Sequence, residues 1–176
     1  SSDVCSSDLF QSSLFTIARR RILWLLILVL ANGLTTKVIA MNDQILKEIV
    51  LLAAFIPLLI GTGGNVGAQS STVVIRGLST QKLKSLGAIK AVIKEAITGA
   101  LLGVFMMLVV FPFAWWQGEG PLIASAVGIS LISITTLAAT AGAILPLLFD
   151  RMKLDPALMS SPFITTVTDI AGVFIY

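Results

Sequence analysis

Histidine is absent from this 176-residue chain, and cysteine occurs once, as Cys5. There is then no imidazole to hold zinc or shuttle protons, and a lone cysteine cannot close an internal disulfide. Charge is scarce as well. Only 12% of the residues are Asp, Glu, Lys or Arg, and the net charge of +3 is small and scattered between apolar runs, which excludes nucleic acid as a partner. Any metal bound here must be a hard cation held by oxygen.

What the chain has in excess is hydrocarbon. Its residues are 56% hydrophobic and its mean hydropathy is +0.98, against the roughly half-apolar, quarter-charged mix of soluble domains. Lipid is therefore the expected solvent. A chain in lipid must satisfy its backbone internally, as helices or as a closed barrel, and these long apolar runs lack the alternation of barrel strands. Five runs approach the roughly 20 residues needed to cross a bilayer: 22–40, 49–74, 91–116, 122–148 and 160–176. The expected fold is an all-α membrane protein, a bundle of five transmembrane helices. At about 1.5 Å per residue the fifth run reaches some 25 Å of a core about 30 Å thick, so this helix is expected to be truncated, with more chain beyond Tyr176.

Ahead of these spans, residues 1–18 begin with the polar stretch SSDVCSSDL and read as a disordered leader or a non-native scar, with the membrane domain covering 19–176. The run after Arg19, Arg20 and Arg21 continues past any small-residue cleavage site, so a retained span is expected rather than a signal peptide. Basic residues set the orientation. Arg19 to Arg21, then Arg76, Lys82, Lys84, Lys90 and Lys94, then Arg151 and Lys153 fall on one side, and only Lys37 and Lys47 on the other. The expectation is a multi-pass protein of the inner (plasma) membrane with a cytoplasmic N-terminus, and with Trp115 and Trp116 anchored at the outer interface.

Two segments interrupt the apolar pattern. In the second run, Pro57, Gly61, Asn65 and Gln69 recur every four residues, so a helix stacks them near one face and sets glycine-exposed backbone beside two amides. That is a lining for a hydrated cation path; the plainer alternative is a packing surface with a proline kink. The segment is no nucleotide loop, because GTGGNVG lacks both the Gly-Lys-Ser/Thr ending and the dinucleotide spacing. In the fifth run, Asp169 is the one acid well inside an apolar span, where a carboxylate costs about 2.5–3.5 kcal/mol on insertion scales. Thr165, Thr166 and Gly172 share its helical face, so hydroxyls and exposed backbone accompany the charge. Pairing with a lysine or capping another helix is the alternative role, but no Lys or Arg lies at the centre of another span. Close helix contacts are expected at Gly63 with Gly67, Gly99 with Gly103 and Ala138 with Gly142.

Hydrated Mg2+ suits this inventory, since it sheds water reluctantly and commonly uses one or two carboxylates while keeping several waters. One Asp per chain becomes a pair if two subunits meet on a twofold axis.

The stretch FIPLLIGTGGNVGAQSSTVVIRGL, the pair Lys94-Glu95 and the stretch DPALMSSPFITTVTDIAG resemble the signature blocks of the MgtE-type magnesium channel family. The resemblance covers nearly everything from Arg19 to Tyr176. It implies a homodimer whose pore is lined by the second and fifth spans, with Asp169 as the metal-binding residue for a hydrated, transported Mg2+, and with Asn65 and neighbouring glycines such as Gly64 on the pore wall. It also implies a regulatory cytoplasmic domain in the full-length protein, of which nothing precedes Arg19. The alternative function is a coupled secondary transporter for divalent cations, with Asp169 as a relay acid. An enzyme is not expected, because an intramembrane aspartyl protease needs two carboxylates sharing one site.

Overall fold

The computed structural model describes residues 50–80, 87–116 and 120–175, together with scattered positions between 22 and 37. Residues 1–18 and most of the first apolar run lie outside the described residues. Among the described residues four long helices follow one another: α1 (Val50–Ser79), α2 (Ala88–Trp116), α3 (Gly120–Arg151) and α4 (Pro156–Ile175). Among the described residues there is no strand. Two of the four, α2 and α3, are long and apolar enough to cross a membrane by length and composition; α1 and α4 carry the polar segments.

Helix ends overrun the apolar runs because hydropathy marks contact with hydrocarbon, whereas the hydrogen-bond ladder stops only where a cap or a turn stops it. At the end of α1, the Ser79 and Thr80 hydroxyls donate to the Arg76 carbonyl at 2.9 Å each, and the Thr80 amide donates to the same oxygen at 3.1 Å. α3 ends in a tight reversal: the Leu154 amide donates to the Phe149 carbonyl at 2.9 Å and the Lys153 amide to the Asp150 carbonyl at 3.0 Å. The pattern leaves Lys153 in the left-handed region at φ 57°. That turn sets α4 antiparallel to α3, and the Phe149 and Phe163 rings meet across it at 5.4 Å.

α3 is the axle. It packs against α1, α2 and α4; α1 also packs against α4, while α1 and α2 scarcely touch. Both contact faces of α3 are built from small residues. On one side, a Cβ added to Gly99 of α2 would lie 2.5 Å from the Thr135 carbonyl oxygen and 2.6 Å from the Ala139 Cβ. On the other side, a Cβ at Gly63 of α1 would lie 2.7 Å from Ile134 Cγ2, and one at Gly142 would fall on the Gly67 carbonyl oxygen. Close contacts occur at all three small-residue pairs: Gly99, Gly103 and Gly142 approach a neighbouring backbone, whereas Gly63 is closed over by the Ile134 side chain and Gly67 by that of Ile164. Between them Leu59, Leu131, Ile134 and Val127 are fully enclosed.

The two buried threonines are satisfied within their own helices. Thr135 donates to the Leu131 carbonyl at 2.8 Å, and Thr168 to the Ile164 carbonyl at 2.9 Å. Thr136, the next residue of α3, and Thr140, one turn beyond Thr136, repeat the pattern.

Gly142→Val is expected to lower stability by about 1–3 kcal/mol, because the Gly67 backbone cannot move aside as a side chain could. Gly61→Ala, whose added methyl meets nothing within 4 Å, should be neutral or gain up to about 1 kcal/mol of helix propensity. Thermal unfolding in detergent, followed by gel filtration, reads both; an unchanged melting point for Gly142→Val would contradict the α1–α3 contact.

Candidate functional site

α1 has two faces of opposite character. Its buried face carries Phe55, Leu59, Gly63, Val66, Gly67, Ser70 and Val74 and meets α3 and α4. The opposite face is exposed along its length and runs Ala54, Pro57, Gly61, Asn65, Ala68, Gln69 and Thr72, at steps of three and four residues, before it ends on the exposed Val73. Pro57, Gly61, Asn65 and Gln69, singled out by their spacing, all stand on it. Gly64 borders it, half-buried, and an added Cβ at either Gly61 or Gly64 would meet nothing within 4 Å. Ala68 and Thr72 extend the same stripe and were not singled out; the three-and-four step from Gly61 and Asn65 would have found them.

Pro57 is inside the helix, so the Ala53 carbonyl loses its usual intrahelical donor. The Thr72 hydroxyl donates back to the Ala68 carbonyl at 2.8 Å, which keeps its lone pairs on the exposed face.

The contact between α1 and α4 fixes the height of Asp169. A Cβ at Gly63 would lie 3.6 Å from Thr168 Cβ, and one at Gly67 would lie 2.5 Å from Ile164 Cγ2 and 3.7 Å from Thr168 Cγ2. Thr168 is therefore level with the turn from Gly63 to Gly67, the turn that also carries Gly64 and Asn65. Asp169 follows Thr168 by one residue, about 1.5 Å further along and 100° round the helix. This rotation takes it off the buried contact to a half-buried position.

The companions expected for Asp169 divide. Thr165 is exposed and Thr166 half-buried, on the outer side of α4. Gly172 is buried instead: its Cβ position is 3.6 Å from Ile60 Cγ1 and 3.8 Å from Ile134 Cδ1. Three residues ahead of Asp169 is 60° back toward Thr168, which turns Gly172 to the inner packing. Among the described residues no three or more Asp, Glu, Cys or His side chains gather into a metal-binding cluster.

The exposed face of α2 offers the comparison that gives α1 its meaning. There Ile93, Ile97, Leu101, Phe105, Leu108 and Phe113 are all more than half exposed, and Trp115 and Trp116 end the helix at 59% and 85% exposure. Large aliphatic and aromatic side chains suit lipid; a stripe of glycine, alanine, amides and hydroxyls does not.

The family model described as a divalent cation transporter, MgtE, matches residues 56–176. The magnesium transporter MgtE of Thermus thermophilus is 38% identical over 156 residues, 89% of this chain and 34% of its own length. The proteins of the same name from Bacillus subtilis and Enterococcus faecalis are 33% and 35% identical, over 95% and 90% of this chain. The chain spans about a third of the length of these curated relatives.

With Cys5 replaced, Asn65→Cys and Gln69→Cys are expected to react with a hydrophilic methanethiosulfonate in membranes. Leu101→Cys and Leu108→Cys should react only with a lipid-soluble maleimide. Equal reactivity of the two sets would remove the distinction between the faces.

Proposed function

This chain belongs to the MgtE family of divalent cation transporters, and from that premise we propose that it forms the membrane-embedded path through which magnesium crosses the bilayer. One observation carries the proposal: a small, polar, exposed face of α1 at the height of the single carboxylate well inside α4. A carboxylate at that depth costs about 2.5–3.5 kcal/mol on insertion scales, and water or a cation beside it offsets the cost.

In this reading Asp169 is the metal-binding residue, and it acts on the hydrated ion. Mg2+ keeps most of its waters, so one carboxylate suffices as a direct or water-mediated partner while amides and carbonyls receive the remaining hydrogen bonds. Asn65, Gln69, Thr165 and Thr166 supply those groups. Gly61 and Gly64 leave the path wide and its backbone oxygens within reach. Pro57 frees one carbonyl at the end of the lining. Gly172, packed against Ile60 and Ile134, stands behind the path rather than on its wall.

A homodimer completes the site. A twofold axis along the polar face of α1 would set two such faces and two Asp169 carboxylates opposite each other, two charges for one divalent ion. The first apolar run joins the four helices to make five spans. The basic ends of α1, α2 and α3 lie on the cytoplasmic side, and the N-terminus with them. The role is transport rather than catalysis, and a channel is preferred to a coupled exchanger because the lining is a continuous open stripe.

Uptake of Mg2+ into liposomes tests the central residue. At about 4 Å in a water-filled path, a carboxylate attracts a divalent cation by about 2 kcal/mol. Asp169→Asn should therefore cut flux tenfold or more while leaving expression intact, Asp169→Glu should be intermediate, and Asp155→Asn should change flux little. Wild-type uptake by Asp169→Asn would refute the site. Single-channel currents separate a channel from a slow exchanger.

Orientation has its own test. With Cys5 replaced, Glu119→Cys should be labelled by an impermeant reagent added to intact cells and Ser79→Cys should not. The reverse pattern would invert the topology.

A further inference from the structure

Away from the polar face, a groove of about 330 Å³ opens between the first turns of α2 and the last turns of α3, lined by Ile89, Val92, Ile93, Ile144, Leu148 and Arg151, among others. Because the two helices are antiparallel, the start of α2 and the end of α3 meet at one membrane surface. From there Ile93 and Ile144 lie about 8–10 Å deeper, at 1.5 Å per residue. The groove therefore begins at headgroup level and descends into the hydrocarbon, with an apolar wall below and one guanidinium at its mouth.

Charge at that mouth selects the occupant. Lys90 and Lys94 are exposed on the first two turns of α2, and Lys153 follows Arg151 in the turn. The carboxylates at this end are Glu95, Asp150 and Asp155, none of which lines the groove. Among the described residues no ion pair engages Arg151. A guanidinium matches a phosphate diester with two parallel hydrogen bonds, and basic pockets between membrane helices on the cytoplasmic side suit anionic headgroups.

We propose that this groove is a binding site for an anionic phospholipid, with an acyl chain laid between α2 and α3 and its phosphate on Arg151. The proposal rests on the membrane reading above. Its readout is a bound lipid rather than ion flux, so either can fail without the other.

The test is native mass spectrometry of the full-length protein in detergent, titrated with phosphatidylglycerol and, separately, with phosphatidylcholine. The expected result is one tight phosphatidylglycerol adduct per chain, with phosphatidylcholine binding clearly weaker. Arg151→Gln should weaken the adduct about fivefold, Arg151→Lys should retain most of it, and Ile144→Trp, which fills the groove, should weaken it with Arg151 intact. Equal binding of the two lipids would overturn the proposal, as would indifference to both Arg151→Gln and Ile144→Trp. A high-yield disulfide between Leu25→Cys and Ile93→Cys in bilayers would also overturn it, since the first apolar run would then occupy the groove.

Discussion

Hydrocarbon cannot hydrogen-bond, and the arrangement of this bundle follows from that. Every polar group at membrane depth must find its partner within the protein or face water. The threonines of α3 and α4 take the first course: Thr135, Thr136, Thr140 and Thr168 each return a hydrogen bond to their own helix and can then be buried or packed without cost to a neighbour. Asn65, Gln69 and Asp169 have more polar atoms than such a local bond could satisfy. The amides stand on an exposed face and the carboxylate at a half-buried position. The lipid-suited surface is kept for α2, where exposed isoleucine, leucine and phenylalanine recur along the helix.

The same solvent explains why glycine dominates the contacts. Between helices in lipid there is no gain from hiding apolar surface, so association depends on close van der Waals approach, which small residues permit. α3 supplies small residues on two sides, Thr135 and Ala139 toward Gly99 of α2 and Ala138 and Gly142 toward Gly67 of α1. A backbone contact at Gly67 and Gly142 leaves little play along the helix axes. The height of Asn65 relative to Asp169 is set by the packing of Gly63 and Gly67 against Thr168 and Ile164 on the buried side of α1.

Much of this was legible in the sequence, and what was not has a geometric cause. Helix type and order follow from apolar runs; boundaries do not, since α1 extends five residues past Val74 to a hydroxyl cap and α4 begins at Pro156 rather than Ser160. The four-residue spacing of Pro57, Gly61, Asn65 and Gln69 located a real helical face. It could not divide the glycines of GTGGNVG into two kinds, because that depends on where the neighbours lie. Gly63 and Gly67 are pressed against α3 and α4, whereas Gly61 and Gly64 face open space. Gly172 is parted from Asp169 for the same reason: a residue three places along is 60° round the helix from Asp169, and only the position of α1 decides which side of that angle is inside.

The division among glycines bears on how a path for a hydrated ion can be both wide and well ordered. Substituting the packed pair would separate α1 from α3 and tilt the polar face as a whole. Substituting the open pair would leave the bundle intact and add a methyl group to the face proposed to line the path. Hexahydrated magnesium is large and holds its shell tightly, so such a path must accommodate waters rather than replace them, and its walls need acceptors spaced for water more than ligands spaced for metal. A stripe of glycine, alanine and amide beside one carboxylate meets that requirement better than a ring of acids would. Several carboxylates at one level would bind the bare cation and hold it, and conduction requires that the ion be able to leave.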